Sequence, residues 1–280
     1  MKKIYLLPNI ITAFGLTCGL FVIFKMNMTA IGDVTPYVLL VTTGILILAA
    51  FADLLDGAIA RAMKAESEFG GLFDSLADAI TFGVAPAVIV LKTLSIEPGT
   101  ESSFLMTGAA MMYTVCGVLR LIRYNVTNSK PSEKVDVITV NNKNFTGLPI
   151  PAAAGAIVSL NLFIAACPFS WLCELSDFTR TTLLFSAFFL AGYLMISRWR
   201  FPSLKTLRIR VASFQMVFVT VVLAVFIFYG ILHHFPLVLF TICWGYIAVS
   251  LMLTLIRMTT GKKSKTLADF DLGPDSISDD

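Results

Sequence analysis

Long apolar runs recur along the chain, separated by short polar loops. About 20 consecutive apolar residues cross a bilayer as a helix. Eight stretches approach that length, at about 9–26, 36–60, 71–95, 103–124, 149–168, 180–197, 211–232 and 235–257. Pro8, Pro36, Pro149 and Pro236 sit near segment starts, where proline is tolerated. The run from Pro149 is crowded by Pro151 and Pro168. The amino-terminal run follows a basic head, as in a signal peptide. It is longer than the usual apolar core of such a peptide and lacks a clean small-x-small cleavage site, so it reads as a retained first span. The pattern predicts an all-α, polytopic integral membrane protein with about eight transmembrane helices.

The loops carry the orientation. Under the positive-inside rule, alternate loops are basic. Of the 21 lysines and arginines, all but Lys25, Lys92 and Arg180 fall on one set of alternate loops and the two ends. Eight helices with both termini cytoplasmic satisfy this alternation. Residues 1–260 read as one membrane domain. Residues 261–280 are polar, then acidic, and read as a disordered cytoplasmic tail. The basic residues beside it face anionic membrane lipids.

Composition agrees. The 280 residues are 57% hydrophobic and 14% charged, against about 25% charged in soluble domains. A net charge of +3 gives no sign of a nucleic-acid partner. The five cysteines show no metal-binding spacing and read as buried thiols, with a Cys167–Cys173 pair as the lesser alternative.

Against this apolar background, residues 51–80 stand out. Asp53 and Asp56 are three apart near the cytoplasmic end of the second run; Asp74 and Asp78 are four apart near the start of the third. Each spacing puts the pair on one helix face. If the two helices pack antiparallel, four carboxylates meet at one membrane depth. Like charges so placed repel, and ionisable groups within a membrane are costly and usually functional. Divalent cations resolve the conflict, and all-oxygen donors favour hard ions such as Mg²⁺, Mn²⁺ or Ca²⁺. Two such ions suit phosphoryl chemistry. Gly57, Ala60 and Gly70 let a flat group approach closely, and Arg61 suits phosphate oxygens.

At this point the residues resemble a known family. The pattern Asp53-x2-Asp56-Gly57-x2-Ala60-Arg61-x8-Gly70-x3-Asp74-x3-Asp78 is similar to the complete signature of the CDP-alcohol phosphotransferases, eight positions in 26 residues. The resemblance implies transfer of a phosphate-linked group from a CDP-alcohol to a second alcohol, with release of CMP. It implies a divalent cation, Mg²⁺ or Mn²⁺ and two per site, held by Asp53, Asp56, Asp74 and Asp78. Asp78 would also be the catalytic base on the acceptor hydroxyl. Gly57, Ala60 and Arg61 would hold the CDP moiety, with Gly70 beside it.

Three further stretches resemble the membrane-embedded phosphatidylserine synthases, a branch of that family: LPNIITAFGLTCG at 7–19, RLIRYNV at 120–126 and NFTGLPIPAAAG at 144–155. This implies CDP-diacylglycerol and L-serine as substrates, a homodimer, and an active site on the cytoplasmic side of the inner membrane. Asn9 and Thr12 are candidates to bond cytosine or ribose, or else simple caps. Arg120 and Arg123 are candidates for the serine carboxylate or a phosphate, or else lipid anchors; Asn125 joins them. Phe145, Gly147 and Pro149 would line the acceptor pocket or form a re-entrant turn. Rival readings keep the chemistry with glycerol phosphate, inositol, inositol phosphate or choline as acceptor, or replace it with cation transport.

Overall fold

The structure is a computed structural model. It describes residues 6–30, 32–63, 67–94, 96–97, 99–128, 144–169, 174–197, 200–202, 230 and 233–260. The elements run α1 (Leu6–Met28), α2 (Pro36–Ala62), α3 (Glu68–Asp78), a π-helical turn (Ala79–Val84), α4 (Ala85–Thr93), α5 (Glu101–Asn128), β1 (Asn144–Thr146), α6 (Ile150–Ala166), α7 (Asp177–Ile196), β2 (Arg200–Pro202) and α8 (Phe235–Thr260). Caps mark several starts. Thr35 Oγ1 accepts from the Val38 N–H at 3.3 Å ahead of Pro36, Ser67 Oγ from the Gly70 N–H at 3.0 Å, and Ser176 Oγ from the Thr179 N–H at 3.3 Å. Each side chain takes one of the donors that a helix start leaves unpaired.

Six spans among the described residues are long and apolar enough to cross a bilayer, with α3, the π-turn and α4 together making one of them. The run predicted at 149–168 is shorter, because Pro149 caps it and Cys167, in the left-handed region, ends it. Its 17 residues rise about 25 Å, short of the roughly 30 Å hydrocarbon core. The run at 211–232 and the tail at 261–280 lie outside the described residues, apart from Gly230. One feature departs from an all-helical reading. β1 and β2 pair antiparallel, with Phe145 opposite Phe201. Three-residue strands carry no readable alternation.

The outer surface is apolar: Phe21, Phe24, Phe51, Leu54, Phe104 and Tyr193 are all more than half exposed. In water such a surface would aggregate; facing lipid tails it costs nothing. The interior core gathers Tyr113, Leu148, Ile150, Ile157, Phe188 and Met195 from α5, α6, α7 and the turn before α6. Cys18, Cys116 and Cys243 are free thiols within the apolar helices.

The π-turn has a chemical cause. Pro86 has no N–H, so the Phe82 carbonyl one turn back loses its helical donor. The Tyr113 hydroxyl, fully buried on α5, donates to that carbonyl at 2.7 Å, and Thr114 Oγ1 has the Gly83 carbonyl within reach at 3.2 Å. The bend directly below Asp78 is therefore held by α5. Replacing Tyr113 with phenylalanine leaves the Phe82 carbonyl buried and unpaired, an expected loss of about 1–3 kcal/mol. Thermal unfolding in detergent checks this. Thr114→Val is expected to cost less, because the Thr114 hydroxyl also has the Ala110 carbonyl, at 3.0 Å, as an alternative acceptor.

Candidate active site

Antiparallel packing of α2 and α3 beside α1 assembles the acids. Asp53 and Asp56 come from the last three turns of α2, Asp74 and Asp78 from the last two turns of α3. One carboxylate oxygen from each of Asp53, Asp56 and Asp74 lies within 4.8 Å of the others. Asp78 stands one turn further along α3 and lines the same small cavity of about 10 Å³. Asp56 is buried, and Thr12 Oγ1 of α1 donates to its Oδ2 at 2.5 Å. The same hydroxyl has the Pro8 carbonyl at 3.1 Å as a second acceptor. It carries one proton, and the shorter bond to a charged acceptor takes it. Thr12 thus fixes the orientation of Asp56.

Three carboxylates this close are a donor set of oxygens alone. That chemistry fits a hard divalent cation. Asp53, Asp56 and Asp74 are the residues placed to hold it.

The other predicted residues around the mouth converge from three helices. Asn9 Oδ1 would stand 3.1 Å from a Cβ on Gly70, so α1 meets the start of α3 where glycine leaves space. An Arg61 guanidinium nitrogen would stand 3.3 Å from a Cβ on Gly57, so the exposed arginine folds back over the missing side chain. Ala60 is half-buried between them in the same helix.

The predicted acceptor residues separate into two groups. Arg120, half-buried on α5, is within electrostatic reach of Asp78 and of Tyr246 on α8, and its Nε is buried without a hydrogen-bond partner among the described residues. The others make contacts that hold the fold. Arg123 donates from a guanidinium nitrogen to the Ile196 carbonyl at 3.2 Å, at the end of α7. Asn125 Nδ2 donates to Ser75 Oγ at 2.8 Å and joins α5 to α3. Gly147 packs on the α7 terminus with φ of +87°, Pro149 caps α6, and Phe145 sits in β1. Two residues near the site, Thr81 beside the acids and Tyr246 beside Arg120, were not singled out in the sequence. Tyr246 gave no signal there, since it lies 168 positions from Asp78. Thr81 had one, its i+3 spacing from Asp78.

Comparison with known proteins agrees with this geometry. The CDP-alcohol phosphatidyltransferase family matches residues 5–196. A CDP-diacylglycerol–serine O-phosphatidyltransferase of Helicobacter pylori is 29% identical over 226 residues, 78% of this chain and 81% of the relative. One of Bacillus subtilis is 30% identical over 210 residues, 71% of this chain and 91% of the relative. An archaetidylserine synthase of Methanothermobacter thermautotrophicus is 37% identical over 120 residues, 42% of this chain and 45% of the relative. The match begins before α1, ends with α7 and takes in every position of the spaced acidic signature, and the chain therefore belongs to the CDP-alcohol phosphatidyltransferase family, a family of transferases.

Proposed function

We propose that the protein transfers the phosphatidyl group of CDP-diacylglycerol to L-serine, giving phosphatidylserine and CMP. The carrying observation is the meeting of the Asp53, Asp56 and Asp74 carboxylates within 4.8 Å beside Arg61. The names of the relatives support serine as acceptor. The diacyl chains stay in the bilayer while the CDP head reaches the acids at the helix ends, and serine enters from water.

Each residue then has a task. Asp78 takes the proton from the serine hydroxyl as its oxygen attacks phosphorus. The bond from phosphorus to the CMP oxygen breaks as the new one forms. Arg61, with Gly57, Ala60 and Gly70 leaving room, grips the CDP phosphates. Asn9 lies within reach of the nucleoside. Arg120, within electrostatic reach of Asp78 and with its Nε unpaired among the described residues, receives the serine carboxylate or the lipid phosphate. Mg²⁺ or Mn²⁺, two per site on Asp53, Asp56, Asp74 and Asp78, would offset phosphate charge and stabilise the leaving group. The same reading makes the protein an eight-span homodimer of the cytoplasmic membrane. Both ends and the acids face the cytoplasm, and residues 1–260 form one domain before the tail.

The test is acceptor choice. Protein in detergent with Mn²⁺ or Mg²⁺ and CDP-diacylglycerol is offered labelled serine, glycerol 3-phosphate, inositol or choline. Label is expected to enter lipid from serine alone, with matching CMP, and to stop on chelation. Label from another acceptor overturns serine and keeps the reaction class. No label and no CMP from any acceptor removes the reaction and restores cation transport as the reading.

A further inference from the structure

Thr81 lies three residues after Asp78, inside the π-turn. Its side chain is 2% exposed, and its hydroxyl has no hydrogen-bond partner among the described residues. Several other helical threonines avoid that state. Thr17, Thr42 and Thr93 each donate to a carbonyl one turn back. An unpaired buried hydroxyl costs about 1–3 kcal/mol and calls for an explanation.

The Thr81 hydroxyl faces α1 where Gly19 has no side chain: a Cβ there would lie 2.5 Å from Thr81 Oγ1 and 2.9 Å from Thr81 Cα. No side chain fits between the helices at that point. Thr81 also lines the cavity shared by Asp53, Asp56, Asp74 and Asp78, which α1 bounds with Thr12, Gly15 and Leu16. It lies three residues further along the helix than Asp78, at the end of the cavity away from Asn9, Arg61 and Gly70. The cavity's 10 Å³ is the space of about one water. Thr43 makes the contrast. Its hydroxyl is also buried and unpaired among the described residues, yet it lines a mostly apolar space of about 60 Å³ with Leu46, Ile47, Phe82 and Val158.

We propose that Thr81 is a positioning residue for Asp78, acting through a single water held on the cavity floor. The Thr81 hydroxyl donates to the water oxygen, and the water donates to one Asp78 carboxylate oxygen. That bridge ties one oxygen down and leaves the other facing the mouth, where the acceptor hydroxyl arrives. The inference rests on the proposed role of Asp78 as base.

Two substitutions separate positioning from packing. Thr81→Val keeps the shape and removes the hydroxyl; Thr81→Ser keeps the hydroxyl. With CDP-diacylglycerol and serine, Thr81→Val is expected to lower kcat about 10- to 100-fold. Its KM for CDP-diacylglycerol and its Mn²⁺ affinity should stay within about twofold of wild type, and its melting temperature should be equal or higher. Thr81→Ser is expected to recover kcat to within about threefold. If the valine variant does not fold, Thr81→Ala against Thr81→Ser isolates the same oxygen. A kcat for Thr81→Val within twofold of wild type, or a serine variant as slow as the valine one, overturns the proposal. If wild type turns over another acceptor and not serine, the functional reading fails, and the comparison is made with that acceptor. A high-resolution map of the wild type decides independently of activity: water bonded to both Thr81 and Asp78 supports the bridge, and a dry floor removes it.

Discussion

Replacing Asp78 with asparagine is expected to abolish serine-dependent CMP release, with a loss on the order of 10³-fold or more. General-base catalysis supplies about 10²- to 10⁴-fold, and the amide cannot take the proton. The same change removes one of four mutually repelling acids, so the metal-free variant should unfold at the wild-type temperature or slightly above it. Mn²⁺ should still raise its melting temperature, though less than for wild type, because Asp53, Asp56 and Asp74 keep their mutual approach. Asp53→Asn gives the opposite signature: most of the Mn²⁺-dependent stabilisation disappears along with activity. Thermal unfolding with and without Mn²⁺, set beside turnover, separates the two roles. Near-normal turnover of Asp78→Asn would remove Asp78 from the part of base, and unchanged Mn²⁺ stabilisation of Asp53→Asn would remove that residue from the cation site.

The sequence shows the acids readily and their support hardly at all. Asp53, Asp56, Asp74 and Asp78 are legible because charge in an apolar helix is expensive and their spacings repeat at one helical turn. The bond from Thr12 to Asp56 joins residues 44 apart, and no local pattern announces it. The spans were legible wherever an apolar run is long. They were less so at α6, where flanking prolines shorten the helix below bilayer thickness. The π-turn was hidden for another reason: α and π segments have the same hydropathy. Only Pro86 hints at the break, and its consequence depends on Tyr113 arriving from α5. The β1–β2 ribbon is too short to alternate. At the acceptor side, Arg123, Asn125 and Gly147 look like ligands in sequence because they are polar or small beside the signature. In space they hold helix ends together, and whether they also touch substrate depends on measurements that separate stability from binding.

Gly147→Ala makes that separation, and a large stability loss is expected. The last four carbonyls of a helix lack intrahelical donors. At the end of α7, the Ser197 N–H reaches the Tyr193 carbonyl at 2.9 Å. The Leu148 N–H reaches Leu194 at 3.0 Å, and Arg123 reaches Ile196 at 3.2 Å. Gly147 brings Leu148 there by taking φ of +87°, and its missing side chain makes room for the Met195 and Ser197 carbonyls. A Cβ would overlap the Met195 oxygen and lie 3.2 Å from the Ser197 oxygen. The φ angle alone costs a non-glycine residue about 1–3 kcal/mol. Displacing Leu148, which is fully buried, adds to it. The expected total is about 2–4 kcal/mol, or a fall in melting temperature of roughly 5–15 °C. Gly108→Ala on α5 is the control, since it is exposed with nothing within 4 Å and should unfold at the wild-type temperature or higher. If Gly147→Ala melts like Gly108→Ala, the docking of this loop on α7 is wrong. If it also raises KM for serine, the loop belongs to the acceptor pocket instead. If it melts early with an unchanged KM for serine in the surviving fraction, Gly147 serves the scaffold, and Arg120 is left as the residue of this group that faces Asp78.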